Sequence, residues 1–395
     1  MRMKIKKIIF PVIAVLCLAG AFGLGAWVGV NKIAYNVPQP GTIDFSLFWN
    51  AYSELQENFI DPSAIDNQKI IYGAIEGMTQ SLDDPYTSFF NPERAHRFQQ
   101  DLSGSFEGIG VEIGVKKELL TVVAPLEGTP GQTAGLKAGD IIAKIDGKDS
   151  LNMTTDDAVS LIRGPKGTNV TLTIVREELK NPKDITITRG TISIPAMKWS
   201  LKDGNIAYIQ LFQFDESLSS EFTSATREIL QSPAKRIILD LRNNPGGYLD
   251  IAQSIAGFFL ENGKIVTIED LGADKEQQIY KTSGSASLSG YPVVVLINQG
   301  SASASEILAG TLRDNRNIKL IGMKSFGKGS VQEVINLRGG SFLKITIAKW
   351  LTPNGNSIAE VGLEPDIKID ITDHDMQLDK DPQLDKALEI VKALR

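Results

Sequence analysis

The sequence predicts an α/β protein: a core on a largely parallel sheet, preceded by a β-rich module, a small helical segment and an apolar N-terminal helix. Three observations support this. From about Gly190 to Ile371, apolar runs alternate with amphipathic helical stretches; Arg236–Leu241 and Val293–Ile297 are apolar almost throughout, as strands buried on both faces are. Between about Asp101 and Arg176 the runs are short and broken by turns such as Thr129-Pro130-Gly131 and Asp146-Gly147. The 23 residues Ile8–Val30 carry no charge and follow Arg2, Lys4, Lys6 and Lys7.

Composition narrows the function. The 395 residues are 42% apolar and 22% charged, which excludes wholesale disorder. With 41 basic and 47 acidic residues the net charge is −6, so no nucleic-acid partner is expected. The single cysteine, Cys17, lies in the apolar run, which excludes a disulfide framework, a Cys-rich zinc site and a soluble cysteine nucleophile. His96 and His374 are the only histidines. A multi-His metal centre is therefore excluded, and a Ser-His-Asp triad would have to use one of these two. No metal or cofactor is expected.

Taken in order, residues 1–36 read as a cytoplasmic stub and a membrane anchor, because a run of 23 residues at about 1.5 Å each spans a bilayer core. Basic flanks stay cytoplasmic, so the rest is expected outside the plasma (inner) membrane, single-pass. The alternative is a signal cleaved near Ala19-Gly20-Ala21, giving a secreted form. Residues 37–100 form a helical domain: Phe45, Phe48, Trp49, Tyr52 and Leu55, then Ile70, Ile71, Ala74, Ile75 and Met78, recur at helical spacing. Their stripes are candidate homodimer or adaptor surfaces, or simply core. Residues 101–188 form the β-rich domain, with a helix at Thr155–Arg163, and 189–372 the α/β core. Residues 373–395 are an acidic tail ending in a helix from Pro382.

In open α/β sheets, sites form beyond the carboxyl ends of strands. Asn298–Glu306 is one such junction. A serine here lies at a helix N-terminus, whose N–H groups and dipole favour an alkoxide or oxyanion. Taken alone, Ser303 with Glu306 fits a capping box and Ser301 a simple N-cap. Asp240–Gly247 is a second junction, where Gly246 or Gly247 could present an oxyanion N–H; Arg242 reads as a loop anchor. Neither histidine lies near a strand end, so a serine nucleophile would need a lysine base. Lys328, between Gly327 and Gly329, is the candidate, Lys324 its competitor, and Gln332 could orient it. Taken alone, Lys328 reads as an exposed loop lysine.

Together these residues resemble the carboxyl-terminal processing peptidases, tail-specific serine proteases with a Ser–Lys dyad. The resemblance rests on Gly300–Ile307, Phe326–Gly329 with Gln332, Leu241–Gly247, Thr352–Gly355, Gly362–Asp366 and Asp84–Thr87. Gly108–Val111 and Ala134–Asp140 resemble a PDZ domain. The resemblance implies Ser303 as nucleophile, Lys328 as general base and Gln332 as the residue positioning it. Gly246 and Ala304 supply oxyanion N–H groups, with Gly247 the alternative to Gly246. It also implies a core of crotonase-like topology and a PDZ domain that gates cleavage. Gly108, Ile109, Gly110 and Val111 would capture a substrate's free carboxylate. An apolar pocket beside Ala158, Leu161 and Ile162 would favour apolar C-termini, and Arg163 could sense the core. The rival readings are a membrane scaffold with a silent core and a crotonase-type acyl-CoA enzyme.

Overall fold

A computed structural model of the chain describes residues 43–394, apart from 117, 152, 177, 178, 180, 273, 274, 373, 376, 377 and 379. The expected anchor, 1–36, lies outside these residues; among those described, no helix is long and apolar enough to cross a membrane. They fall into two compact units, up to Ile71 and from Tyr72. In the first, α1 (Ser46–Asn58) buries none of its side chains. Its Tyr52 donates a hydroxyl hydrogen bond to Asn67 Oδ1 (2.6 Å) at the start of α2 (Asn67–Gln80).

The second unit holds everything else. After the Asp83–Tyr86 turn come β1 (Ser88–Phe90) and α3 (Pro92–Leu102). The β-rich module then contributes β2 (Ser105–Gly108), β3 (Val111–Lys116), β4 (Leu119–Pro125), the single turn α4 (Pro130–Thr133), β5 (Ile141–Ile145) and β6 (Lys148–Asp149). It closes with α5 (Thr155–Ile162), β7 (Asn169–Val175), β8 (Lys183–Thr188) and β9 (Gly190–Ser193). Alternation in β7 has the expected result: Val170, Leu172 and Ile174 are fully buried against Ile142 and Ile145. The sheet order is β3-β4-β5-β7-β8, so β3 is an edge strand with α5 packed beside it. Helix α5 starts at a capping box between Thr154 and Asp157. Strands β2 and β9 pair only with each other, from Ser105↔Ser193 to Gly108↔Gly190. Both chain connections of the module therefore run through one ribbon.

The core comprises β10 (Met197–Lys202), β11 (Ile206–Leu211), α6 (Leu218–Gln231), β12 (Arg236–Asp240), α7 (Leu249–Phe259), β13 (Ile265–Asp270) and β14 (Gln278–Lys281). It continues with β15 (Val293–Ile297), α8 (Ala304–Arg316), β16 (Lys319–Gly322), β17 (Ser330–Asn336), β18 (Phe342–Leu351), β19 (Ile367–Lys368) and α9 (Pro382–Ala393). One sheet runs β10-β11-β12-β15-β16-β19, parallel except for β10. Its central strand β15 is covered on both sides. Val293, Val295 and Ile297 join the cluster of α6, α7 and α8, whereas Val294 and Leu296 meet Ala387 and Val391 of α9. A second, antiparallel sheet orders β1-β18-β13-β14, with β17 also on β18. Ser88–Phe90, expected in the helical segment, thus form a strand of the core; three residues are too few to show a period.

Helix α9 is tied to the sheet by charge as well as by packing. Arg242, just beyond β12, makes a two-pronged bond to Asp381 (2.8 and 2.8 Å) while holding the buried Asp240. Arg242 is thus the anchor its position suggested. Burial alone would raise the Asp381 carboxyl, but the hydrogen bonds from Arg242 hold it below the ordinary carboxylate value. Replacing Arg242 by Met leaves Asp240 buried without its cation, so stability should fall by about 3 kcal/mol, read as a lower urea midpoint.

Candidate active site

The neighbouring parallel strands β12, β15 and β16 all end at the same edge, so the loops that follow them converge. The loop after β12 is built around Asn244, which is fully buried. Its Nδ2 donates to Leu211 O (2.9 Å) and its Oδ1 accepts from Gly246 N (2.9 Å). Its backbone oxygen accepts from Ala302 N (3.0 Å) and Ser305 Oγ (2.9 Å), which joins this loop to the next. A second joint is reciprocal: Asn243 N donates to Asn298 Oδ1 and Asn298 Nδ2 to Asn243 Oδ1, both 2.8 Å.

The three serines between β15 and the first turn of α8 have different fates. Ser301 is 0% exposed; its hydroxyl donates to Leu241 O (2.8 Å) and accepts from Asn298 N (2.9 Å). Ser305 is equally buried and spends its hydroxyl on Asn244. Only Ser303 of the three lines the cavity. Its backbone sits at φ 55°, ψ −117°, a conformation that costs a non-glycine residue about 1–3 kcal/mol.

That conformation is held by Glu306, whose 1% exposed carboxylate accepts four hydrogen bonds. They come from Ser303 N (2.9 Å), Ser325 Oγ (2.6 Å), Gly327 N (2.7 Å) and Lys328 N (3.1 Å). One carboxylate thus binds the Ser303 backbone and the Lys328 loop together. Burial pushes its carboxyl above the ordinary value, and the four donors oppose the rise. The sequence showed this glutamate only as a cap; its bonds to residues 325–328 depend on the fold.

Ser303, Ala304, Gly246, Gly247, Lys328 and Gln332 line one cavity of about 360 Å³, with an apolar side that includes Phe98, Val331 and Trp350. Lys328 is largely buried. Desolvation lowers its pKa from the ordinary 10.5, the charge of Lys344 lowers it further, and Glu306 opposes. Its Nζ lies 5.9 Å from the centre of the Tyr86 ring. Lys324, the competitor, is paired with Glu364 at the surface. Gln332 donates its amide to Ser330 Oγ (2.7 Å), so it bears on the lysine loop through Ser330. The Gly246 N–H is taken by Asn244, whereas those of Gly247 and Ala304 have no acceptor among the described residues. Gly246 is still required: at φ +96° an added Cβ would fall 2.6 Å from Ala302 O and 2.7 Å from Ser303 Cβ. Residues 108–111 are outside the cavity. They precede and open the edge strand β3, with Ile109 buried and Gly110 O accepting from Thr129 Oγ1 (2.9 Å).

Comparison with known proteins gives this arrangement a family. Residues 205–369 match the profile of peptidase family S41, residues 121–176 a PDZ domain, and residues 35–94 the N-terminal domain of the activating protease CtpB. The carboxy-terminal processing protease CtpA of Bacillus subtilis is 37% identical over 376 residues, covering 93% of this chain and 78% of that protein. The chain belongs to the S41 peptidases. It is a carboxy-terminal processing serine protease with a PDZ domain. The carboxy-terminal-processing protease of Bartonella bacilliformis is 38% identical over 370 residues, covering 93% of this chain and 83% of that protein. In structure, a photosystem II D1 C-terminal processing protease matches with a TM-score of 0.51 at 28% identity, over 82% of this chain and 92% of that one. The S41 fold and PDZ module expected from sequence are thus present.

In this S41 peptidase, Glu306→Gln keeps the size of the side chain but replaces one accepting oxygen by a donor. Facing donors on all sides, it should cost at least one buried hydrogen bond, about 2 kcal/mol. Peptidase kcat/KM should fall more than tenfold while circular dichroism stays that of the wild type.

Proposed function

We propose that the chain cleaves exported proteins near their C-termini with a Ser303–Lys328 dyad. The observation that carries this reading is that, of three neighbouring serines, only Ser303 opens into the cavity that also holds a desolvated lysine and no histidine. Lys328 Nζ takes the proton of Ser303 Oγ as Oγ bonds to the substrate carbonyl carbon. The oxyanion receives the N–H groups of Ala304 and Gly247. As the peptide C–N bond breaks, Lys328 returns the proton to the leaving amine. Water then hydrolyses the acyl-enzyme with Lys328 again as base. Gln332 and Ser330 keep the lysine loop in register.

Substrate selection falls to the PDZ domain. The free edge of β3 can pair with the last residues of a substrate, with its terminal carboxylate at Gly108–Val111 and an apolar side chain between β3 and α5. Gating is supported by the β2·β9 ribbon and by Arg163, whose guanidinium lies 4.2 Å from the ring centre of Phe106 in that ribbon. Arg163 also lines a cavity of about 150 Å³ with Phe212, Gln213 and Asp215 of the core. The Ile8–Val30 run supports anchoring in the plasma membrane with the peptidase outside. The helical stripes support a homodimer or an adaptor contact.

Incubation with a loosely folded protein ending in apolar residues, read by mass spectrometry, tests the dyad. Ser303→Ala and Lys328→Ala should each reduce cleavage by roughly 10³-fold or more. Equal cleavage by Ser303→Ala would sink the assignment. Because the base works unprotonated and burial lowers its pKa, activity should rise with pH and level off below the ordinary lysine value of 10.5. Amidating the substrate's C-terminus should raise KM about tenfold or more if the carboxylate is captured.

A further inference from the structure

The cavity contains a second lysine that the dyad does not use. Lys344 stands on β18 opposite Val334 of β17, and both side chains line the cavity with Lys328 and Ser303. No carboxylate side chain lines it among the described residues. Lys344 has no ion-pair partner among them either. Two aromatic rings hold it instead: its Nζ lies 5.4 Å from the centre of Phe90 and 5.8 Å from that of Phe98. A ring face within about 6 Å favours the charged form of an amine. Lys328 has one such ring, at 5.9 Å.

We propose that Lys344 is a positioning residue for the peptidase reaction: the neighbouring cation that disfavours a second positive charge in the cavity and so leaves Lys328 neutral and able to take the Ser303 proton. A lysine beside another cationic group in an apolar pocket is a known way to make a free amine at neutral pH. The charged groups around the pair fit the assignment. Lys328 faces Lys344 from β18 and Glu306 from α8, with Tyr86 beside it. Asp84 and Glu360 act on Tyr86. Lys344 faces Arg94 of α3 and Asp84. Arg94 is paired with Glu76 at 3.0 Å. The Asp84 oxygens already accept from Thr87 Oγ1 (2.6 Å) and Tyr86 N (3.1 Å). Burial and Arg94 lower the Lys344 pKa as well, so the two amines compete for charge. Two rings weigh toward charge on Lys344 against one for Lys328. Arg94 and Asp84 act on Lys344 in opposite senses, and the Glu306 beside Lys328 is already occupied by four donors.

The inference rests on Lys328 as the base, and its test separates the two. The full-length protein is assayed on a fluorogenic peptide with an apolar free C-terminus, and kcat/KM is followed against pH for wild type, Lys344→Met, Lys344→Gln and Lys344→Arg. Removing the cation relieves repulsion on Lys328, raises its pKa and moves the acidic limb upward. The shift expected in Lys344→Met and Lys344→Gln is about one pH unit, a roughly tenfold loss below the limb that disappears on the plateau. Lys344→Arg keeps the charge and should overlay the wild type. A limb unmoved in whichever neutral variant keeps the wild-type circular dichroism overturns the proposal, as does an Arg variant that moves as far as the neutral ones. Cleavage retained by Lys328→Ala would sink the dyad instead; cleavage lost there with an unmoved limb sinks only the role of Lys344.

Discussion

The candidate active site depends on one buried carboxylate with four donors. Glu306 belongs to the first turn of α8, where the helix dipole already favours negative charge. From there its Oε2 accepts from the backbone N–H of both Ser303 and Lys328. The two residues come from loops after different strands, and nothing in local propensity brings them together. A carboxylate buried this deeply is costly unless its hydrogen bonds are complete, so any drift of either loop leaves a charge underpaired. The strained φ of Ser303 persists for the same reason: relaxing it would pull its N–H away from Glu306.

Around that clamp the loops support one another in sequence. The Asn244 backbone oxygen and the Asn243–Asn298 pair join the first loop to the second. Ser301 fastens the second to the end of β12, and Ser325 bonds both Glu306 and Leu363 N (2.7 Å). These partners are small polar side chains, and Asn244, Ser301, Ser305 and Ser325 among them are buried. Rigidity comes from satisfied donors and acceptors rather than from bulk, which leaves space above Ser303 for a peptide.

Much of this was legible in the sequence, for identifiable reasons. The core strands β12 and β15 announce themselves as apolar runs, and Ser303 and Lys328 stand out because glycine and alanine surround them. Strands such as β8, reading Lys-Asp-Ile-Thr-Ile-Thr, expose one polar face and resemble loop. The fate of Gly246 was hidden because an Asn two residues earlier takes its N–H, a turn detail decided by geometry. Tyr86 and Lys344 were invisible as site residues: they reach the cavity's surroundings only because β1 and β17 pair with β18, and such pairing leaves no local trace. Glu306 was visible as a capping-box residue, and that bond to Ser303 N is present. Its further bonds to residues 325–328 were hidden because the cap explains its spacing without any loop beyond the helix.

The ribbon of β2 and β9 has a consequence for how such a protease diversifies. Because the chain enters and leaves the PDZ module at the facing residues Gly108 and Gly190, the module is an insertion whose ends already meet. The two core sheets are closed without it: every strand of both finds its partners outside residues 109–189. Under the function proposed above, recognition and cleavage are therefore separable inheritances. A different peptide reader with adjacent termini could be grafted onto the same stalk and redirect the same serine to other chain ends, without altering a hydrogen bond at Glu306.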